Sequence, residues 1–143
     1  MTGAVAGVVV VLAVGVLLLR RRFLLVTVRG RSMQPTLSDG NRLLMARRAG
    51  HRASRDDIVA VRIPAGSGRN AGLYIKRVAA IGGDRLPSGI PSTSGDDLVP
   101  DGKLVLLGDW PFSLDSREWG CVPSEWVLGI AVRKFPIPVQ KRG

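Results

Sequence analysis

The chain begins with an uninterrupted apolar run, "TGAVAGVVVVLAVGVLLL", from Thr2 to Leu19. The run contains no charged residue and is apolar on every face of a helix, so it has no polar side to turn toward water. As an α-helix it would be about 27 Å long, close to the roughly 30 Å hydrocarbon thickness of a bilayer. The pattern predicts one membrane-spanning helix, which leaves about 120 residues for a compact domain.

Two other interpretations of this run are weaker. A domain of this size rarely encloses a helix completely, which disfavours a buried core helix. No Lys or Arg precedes the run and "RRRFLL" follows it, whereas a cleaved secretory peptide has basic residues before its apolar region and small residues at its end. We therefore interpret residues 2–22 as an uncleaved anchor with a flanking arginine cluster.

The arginine cluster bears on membrane orientation. Arg20, Arg21 and Arg22 flank the C-terminal end of the run, and the positive-inside rule places such residues in the cytosol. The rule thus predicts that the domain formed by residues 23–143 lies inside the cell. Basic residues upstream of Met1, if Met1 is not the true start, would change this prediction.

The remainder of the chain has the pattern of a mainly β domain. Runs rich in Val, Ile and Leu are separated by Gly, Pro, Asp and Ser, which is typical of short strands and turns. The predicted strands are 23–30, 41–47, 57–63, 73–81, 103–109 and 127–135. Two prolines in the tail "KFPIPVQKRG" predict that the last strand lies at a sheet edge and leads into a frayed terminus.

Charge and composition narrow the classes of partner. The formal charge is +10, from 21 Lys and Arg against 11 acidic residues, and this favours an anionic membrane surface or a nucleic acid. No nucleic-acid-binding motif occurs, so membrane lipids are the predicted partner and nucleic acid is not. Cys121 is the single cysteine and His51 the single histidine, so the usual Cys/His zinc set is excluded. We expect neither metal nor cofactor.

One serine has the surroundings of a nucleophile. Ser32 lies in "RGRSMQPTLSDG" between Gly30 and Gly40, and Pro35 fixes its own φ and biases Gln34 away from helix. A rigid turn of this kind can expose a hydroxyl beside free backbone N–H groups, as a nucleophile with an oxyanion hole requires. Serines in turns more often bond only to nearby backbone, so the pattern alone leaves both roles open.

A nucleophilic serine needs a base, and Lys76 is the best candidate. His51 lies in the charged stretch "RAGHRASRDD", which should be solvated. Lys76 interrupts an apolar strand, "LYIKRVAAI", on the predicted face of Tyr74, Val78 and Ala80. Burial there would favour the neutral amine. A lysine that extends to solvent from a half-exposed strand remains the alternative.

Four segments in order carry a family resemblance. "GRSMQPTLSDGNRLLM", "RDDIVAVRIP", "YIKRVAAIGGD" and "LGDWPFSLDSREWGCVP" follow the N-terminal apolar run. Together they resemble the successive motifs of the type I signal peptidases, the membrane-bound Ser-Lys proteases. The resemblance covers nearly all of residues 23 to 135 and implies a signal-peptidase-like β catalytic core preceded by one transmembrane helix.

The resemblance also implies catalytic roles for individual residues. Ser32 would attack the scissile carbonyl, and its backbone N–H would contribute to the oxyanion hole. Lys76 would be the general base, and Ser113 would orient the lysine amine. Trp110 stands where asparagine is usual in the family.

Further residues would support the site. Asp115 and Arg117 would form the family's structural ion pair, while Met33 and Pro35 would shape the substrate cleft. Gly30 replaces the serine whose hydroxyl assists the oxyanion hole in some members, so backbone N–H groups must do more here.

The resemblance implies an endopeptidase that removes signal or leader peptides from secreted precursors after small residues, with Ala-X-Ala before the cut. The family expectation is a single-pass cell-membrane protein with an extracytoplasmic catalytic domain. A dedicated maturation peptidase for one precursor, facing the cytosol, and a non-catalytic membrane adaptor of the same fold remain alternatives. A self-cleaving repressor is disfavoured because the Ala-Gly pair before Ser32, Ala6-Gly7, lies inside the apolar run.

Overall fold

The computed structural model describes residues 1–92 and 94–136. Helix α1 runs from Thr2 to Arg22 and leads directly into the first strand at Phe23. Residues 3–22 are exposed along the whole helix, so the buried-core interpretation of the apolar run is wrong. The helix has a mean hydropathy of 2.5 and is long and apolar enough to cross a membrane. Its three arginines occupy the last turn, where positive charge interacts favourably with the helix dipole.

The described part of the domain is built on one antiparallel sheet. Its strands are β1 Phe23–Thr27, β2 Arg42–Ala46, β3 Ile58–Ile63, β4 Gly72–Ile81, β5 Lys103–Leu107, β6 Val122–Pro123 and β7 Val127–Phe135. Their order in the sheet is β1-β2-β7-β3-β4-β5-β6. Single 3-10 turns occur at Gly50–Arg52 and Ser124–Trp126, and a short helix, α2, at Ser116–Trp119. The predicted mainly β fold after an N-terminal apolar helix is confirmed.

The sheet carries hydrophobic clusters on both faces. Val59, Val61 and Ile63 of β3 pack into one cluster, while Ala60 between them packs into another. The first core cluster also contains Val78, Leu104, Leu106, Trp119, Val122, Val127 and Ile130. The second core cluster also contains Val26, Val28, Met33, Leu37, Leu43, Met45 and Ile75. Strand β3 is therefore apolar at nearly every position.

The final strand differs from the prediction. Strand β7 lies between β2 and β3, so the predicted edge position is wrong. Its residues Ala131 to Phe135 pair with β2 alone, so the prolines follow a stretch with one free side. The predicted frayed terminus begins at residue 137, outside the described residues.

Strand β1 and the start of β4 each leave one backbone edge free of ladder pairing within the described residues. Strand β1 ends the sheet on one side and pairs with β2 alone. Strand β4 pairs with β5 from Arg77 onward, whereas its residues 72–76 pair with β3 alone. These two free edges frame the candidate site.

Candidate active site

Ser32 lies in a compact turn between β1 and β2. The Gln34 N–H donates to the Arg31 carbonyl at 3.0 Å, and the Leu37 N–H donates to the Met33 carbonyl at 2.9 Å. The preceding Gly30 has a φ of 81°, which favours glycine. Ser32 is half-buried, and within the described residues its N–H donates to no protein acceptor. The turn thus leaves the N–H of Ser32 free beside its own hydroxyl.

The two residues expected to shape the substrate cleft have different environments. Met33 is fully buried in the second core cluster, where it fixes the turn to the domain. Pro35 is exposed and follows a cis peptide bond from Gln34. Their contribution to a cleft stays a prediction.

Lys76 is buried in the middle of β4, with 1% of its surface exposed. Its Nζ lies 3.2 Å from Ser113 Oγ and 5.8 and 5.9 Å from the ring centroids of Tyr74 and Trp119. Burial lowers the pKa of the Lys76 amine from 10.5 to about 8; the Asp115 carboxylate acts to raise this pKa and Arg117 to lower it. A substantial fraction of the amine is therefore neutral near pH 8.

The face of β4 occupied by Lys76 agrees in part with the predicted alternation. Tyr74 and Val78 pack with the first core cluster, as Lys76 does through Trp119. Ala80 belongs to a separate cluster with Val105, because the register of β4 against β5 shifts between Val78 and Ala80. Its predicted place on the Lys76 face is wrong for this reason.

The Ser113 hydroxyl links Lys76 to a buried carboxylate. Ser113 Oγ donates to Asp115 Oδ2 at 2.5 Å, and the Gly108 N–H donates to the same oxygen at 2.8 Å. With its donor role directed at Asp115, Ser113 Oγ accepts from Lys76. This arrangement fixes the direction of the amine.

Asp115 is fully buried and forms an ion pair with Arg117. Arg117 Nη2 lies 2.6 Å and Arg117 Nε 2.9 Å from the carboxylate oxygens of Asp115. Burial acts to raise the pKa of Asp115, but hydrogen bonds from Arg117, Ser113 and Gly108 outweigh it and lower the pKa to about 2. Asp115 is therefore an anion behind the Ser113 hydroxyl at neutral pH.

Gly108 brings the serine turn and the Ser113 segment together. A methyl group at Gly108 would overlap Ser113 Oγ and the Ser32 carbonyl oxygen. The Trp110 N–H also donates to the Ser32 carbonyl at 3.0 Å. Ser32 and Ser113 are thus neighbours across this glycine. Within residues 1–92 and 94–136 no hydrogen bond joins the Ser32 hydroxyl to Lys76, so direct contact within the dyad stays a prediction.

A cleft of about 210 Å³ lies beside Ser32. Its walls are the end of β1 and the residues that follow, 26–29, and the start of β4, 73–75. Strand β1 and the start of β4 each have a free backbone edge at this cleft. Open strand edges of this kind can pair with an extended peptide.

The sequence did not single out several residues that hold the site together. Arg77 forms a two-pronged ion pair with Asp109, at 2.9 and 2.8 Å. This pair joins the segments that carry Lys76 and Ser113. The lysine-arginine pair in "YIKRV" was a usable signal, because alternation directs Arg77 away from the face of Lys76.

The remaining titratable candidates lie elsewhere. His51 is exposed on a 3-10 turn and lines a separate cavity with Gly82 and Ser124. Cys121 is buried, and burial raises the pKa of its thiol. In the part of the chain that the structure describes, no group of three or more His, Cys, Asp or Glu residues could hold a metal ion.

Comparison with known proteins identifies the family. The chain matches the family described as "Signal peptidase, peptidase S26" over residues 2–88 and 86–135. The match extends from the N-terminal helix to the end of β7 and includes the turn of Ser32, strand β4 and the segment from Gly108 to Arg117. A search of curated proteins gives no match. The chain therefore belongs to the signal peptidase family, peptidase S26, and is a hydrolase of the peptidase type.

Proposed function

We propose that this chain is a membrane-anchored serine endopeptidase that removes signal or leader peptides from secreted precursors, with Ser32 as nucleophile and Lys76 as general base. The observation that carries the proposal is a buried lysine whose amine bonds a serine hydroxyl next to the turn of Ser32. Burial without a direct carboxylate contact favours the neutral amine, and a neutral amine can serve as the base.

The proposed acylation step conserves one proton. The neutral Lys76 amine takes the Ser32 hydroxyl proton while Oγ attacks the scissile carbonyl carbon, and the oxyanion that forms faces the N–H of Ser32. The Lys76 ammonium then gives that proton to the departing amine, which leaves an acyl ester on Ser32. Water attacks this ester with Lys76 again as base, the Lys76 ammonium then returns a proton to the departing Ser32 Oγ, and the acid product leaves with the free enzyme restored. Ser113 acts as the positioning residue for the amine.

The cleft suits an extended substrate with small side chains. A peptide lying between the free edges of β1 and β4 can form main-chain hydrogen bonds with both strands. Leu73, Ile75 and Val26 line the cleft with apolar surface. An apolar cleft of about 210 Å³ between strands favours small residues such as those of the Ala-X-Ala type before the cut.

Membrane anchoring is supported by the exposed apolar helix. A helix with 20 exposed residues from Gly3 to Arg22 exposes a large apolar surface, and lipid is the environment that suits it. Membrane lipids are thus the proposed partners of α1, and the charge of +10 favours anionic lipid. Precursors carrying signal or leader peptides are the proposed substrates.

A cytosol-facing maturation peptidase is the second candidate, and Arg20, Arg21 and Arg22 are the observation that favours it. Topology reporters fused after Gly143 separate the two candidates. A signal from the extracytoplasmic side supports general signal-peptide removal, and a cytosolic signal supports the dedicated peptidase.

The catalytic proposal is tested with purified full-length protein and a precursor containing an Ala-X-Ala site. We expect Ser32→Ala and Lys76→Ala each to lower kcat/KM at least about a hundredfold, since each removes a reacting group. Ser38→Ala, in the same turn, and Lys103→Ala, on β5, are the matched controls. Undiminished cleavage by both Ser32→Ala and Lys76→Ala would end the proposal. Failure of a serine-directed acylating probe to label Ser32 would favour the non-catalytic adaptor.

A further inference from the structure

Two aromatic side chains stand exposed beside the nucleophile turn. Trp110 and Phe112 lie on the segment between β5 and α2, with 36% and 88% of their surfaces exposed. Their ring centroids are 6.4 Å apart at an interplanar angle of 61°, the edge-to-face arrangement that aromatic pairs prefer. A pair of exposed aromatic rings next to a reactive site is a candidate contact surface.

The segment that carries this pair is fixed by hydrogen bonds. Arg117 donates to the Pro111 carbonyl at 2.8 Å and to the Trp110 carbonyl at 3.3 Å, while also holding the buried Asp115. The Trp110 N–H donates to the Ser32 carbonyl. The backbone of Trp110 and Pro111 is therefore held at a set position relative to Ser32, and such preorganisation lowers the entropic cost of binding a ligand.

The proposed chemistry defines which part of the substrate passes this segment. Lys76 must reach the nitrogen of the leaving amine to return the proton, so that nitrogen lies close to Lys76 Nζ. Lys76 Nζ bonds Ser113, which directly follows Phe112. Residues before the scissile bond occupy the cleft lined by 26–29 and 73–75, which contains neither Trp110 nor Phe112. The substrate chain after the scissile bond therefore leaves toward the aromatic pair.

We propose that Trp110 and Phe112 form a subsite for an apolar side chain within the first two residues after the scissile bond. This inference rests on the proposed Ser32–Lys76 mechanism and adds a specificity determinant on the leaving-group side. The rings select apolar substrate side chains because contact with them removes apolar surface of both partners from water.

The test uses peptides identical up to the scissile bond that carry either Leu and Phe or two glycines in the next two positions. We expect the full-length wild type to favour the apolar peptide about tenfold in kcat/KM, as one well-placed apolar contact does. Phe112→Ala and Trp110→Ala should bring the ratio of the two kcat/KM values close to one. Phe135→Ala, which removes an exposed ring at the end of β7, is the matched control and should leave the ratio unchanged.

Phe112→Ala is the decisive variant, because a side chain that is 88% exposed contributes little to packing and its removal should not unfold the domain. A ratio unchanged by Phe112→Ala and Trp110→Ala overturns the subsite. The subsite is also overturned if Phe112→Ala and Trp110→Ala lower kcat/KM equally for both peptides in lipid vesicles and do not lower it in detergent. That result would place the rings against the bilayer. If the wild type cleaves neither peptide, the proposed function is wrong, and the subsite is excluded with it.

Discussion

The pH dependence of cleavage is the most direct test of Lys76 as the base, because only its neutral amine can accept the serine proton. Burial lowers the pKa of this amine from 10.5 to about 8. Near neutral pH a fall of this size makes the neutral amine about 300-fold more abundant. We expect kcat/KM to rise about tenfold per pH unit up to a plateau above pH 8, so that pH 6 gives about one hundredth of the plateau value.

Replacing Asp115 by Asn should move the acid limb of the pH profile, the rise of kcat/KM below pH 8, to lower pH. Asp115 and Lys76 both bond Ser113 Oγ, so their charged atoms lie at most about 6 Å apart. At an effective dielectric constant of about 20, an ion pair at that distance is worth roughly 3 kcal/mol, or about two pH units in the lysine pKa. Asp115→Asn removes this stabilisation of the ammonium and leaves Arg117, which also lowers the Lys76 pKa. The midpoint of the acid limb should therefore shift to lower pH by roughly one to two units.

The assay is peptide hydrolysis at substrate concentrations far below KM, from pH 5 to pH 10, with circular dichroism to confirm that each variant is folded. Asp101→Asn, an exposed site away from the cleft, is the control with the same change of charge. An acid limb that Asp115→Asn does not move refutes the coupling. An acid limb that disappears in His51→Ala refutes the lysine base and assigns the proton transfer to an imidazole.

Two further predictions concern the support of the site. Gly108→Ala forces Ser113 Oγ and the Ser32 carbonyl apart, so kcat/KM should fall about a hundredfold and the free energy of unfolding by about 1–3 kcal/mol. Gly15→Ala, whose methyl group meets no atom within 4 Å, should leave kcat/KM unchanged. Asp115 has a folded-state pKa of about 2, below its ordinary 3.8, so its stabilisation is complete above pH 4 and is lost as the pH falls toward 2. Urea unfolding should show a loss of about 2 kcal/mol over that range, and a loss of the same size in Asp115→Asn would contradict this assignment.

The local patterns predicted most of the fold because apolar runs and turn residues act over short distances. All six predicted strands exist, and the ends of five of them differ by one to three residues. The two-residue β6 and the four-residue α2 were missed, since so short a stretch has no measurable periodicity. The central position of β7 was mistaken because a strand's neighbours are chosen by distant segments, here β2 and β3.

The candidate site likewise has features that the local sequence predicts and contacts between distant segments that it does not predict. The burial of Lys76 follows from its place in an apolar strand, and the turn of Ser32 follows from Gly30 and Pro35. The approach of Ser113 to Lys76 spans 37 residues, and no local pattern specifies it. Gly108 likewise has no sequence signal for its role, because the atoms that exclude a side chain there belong to Ser113 and Ser32.

The direct passage from α1 into β1 has a consequence for how substrates would be selected. Arg22 ends the helix and Phe23 opens the strand, so no loop separates the domain from its proposed anchor. Five strand residues extend only about 17 Å, which sets a short reach from the lipid headgroups to the end of β1. Cleavage sites would therefore be chosen by their height above the membrane as well as by their side chains, and a precursor that presents the right residues at the wrong depth would escape.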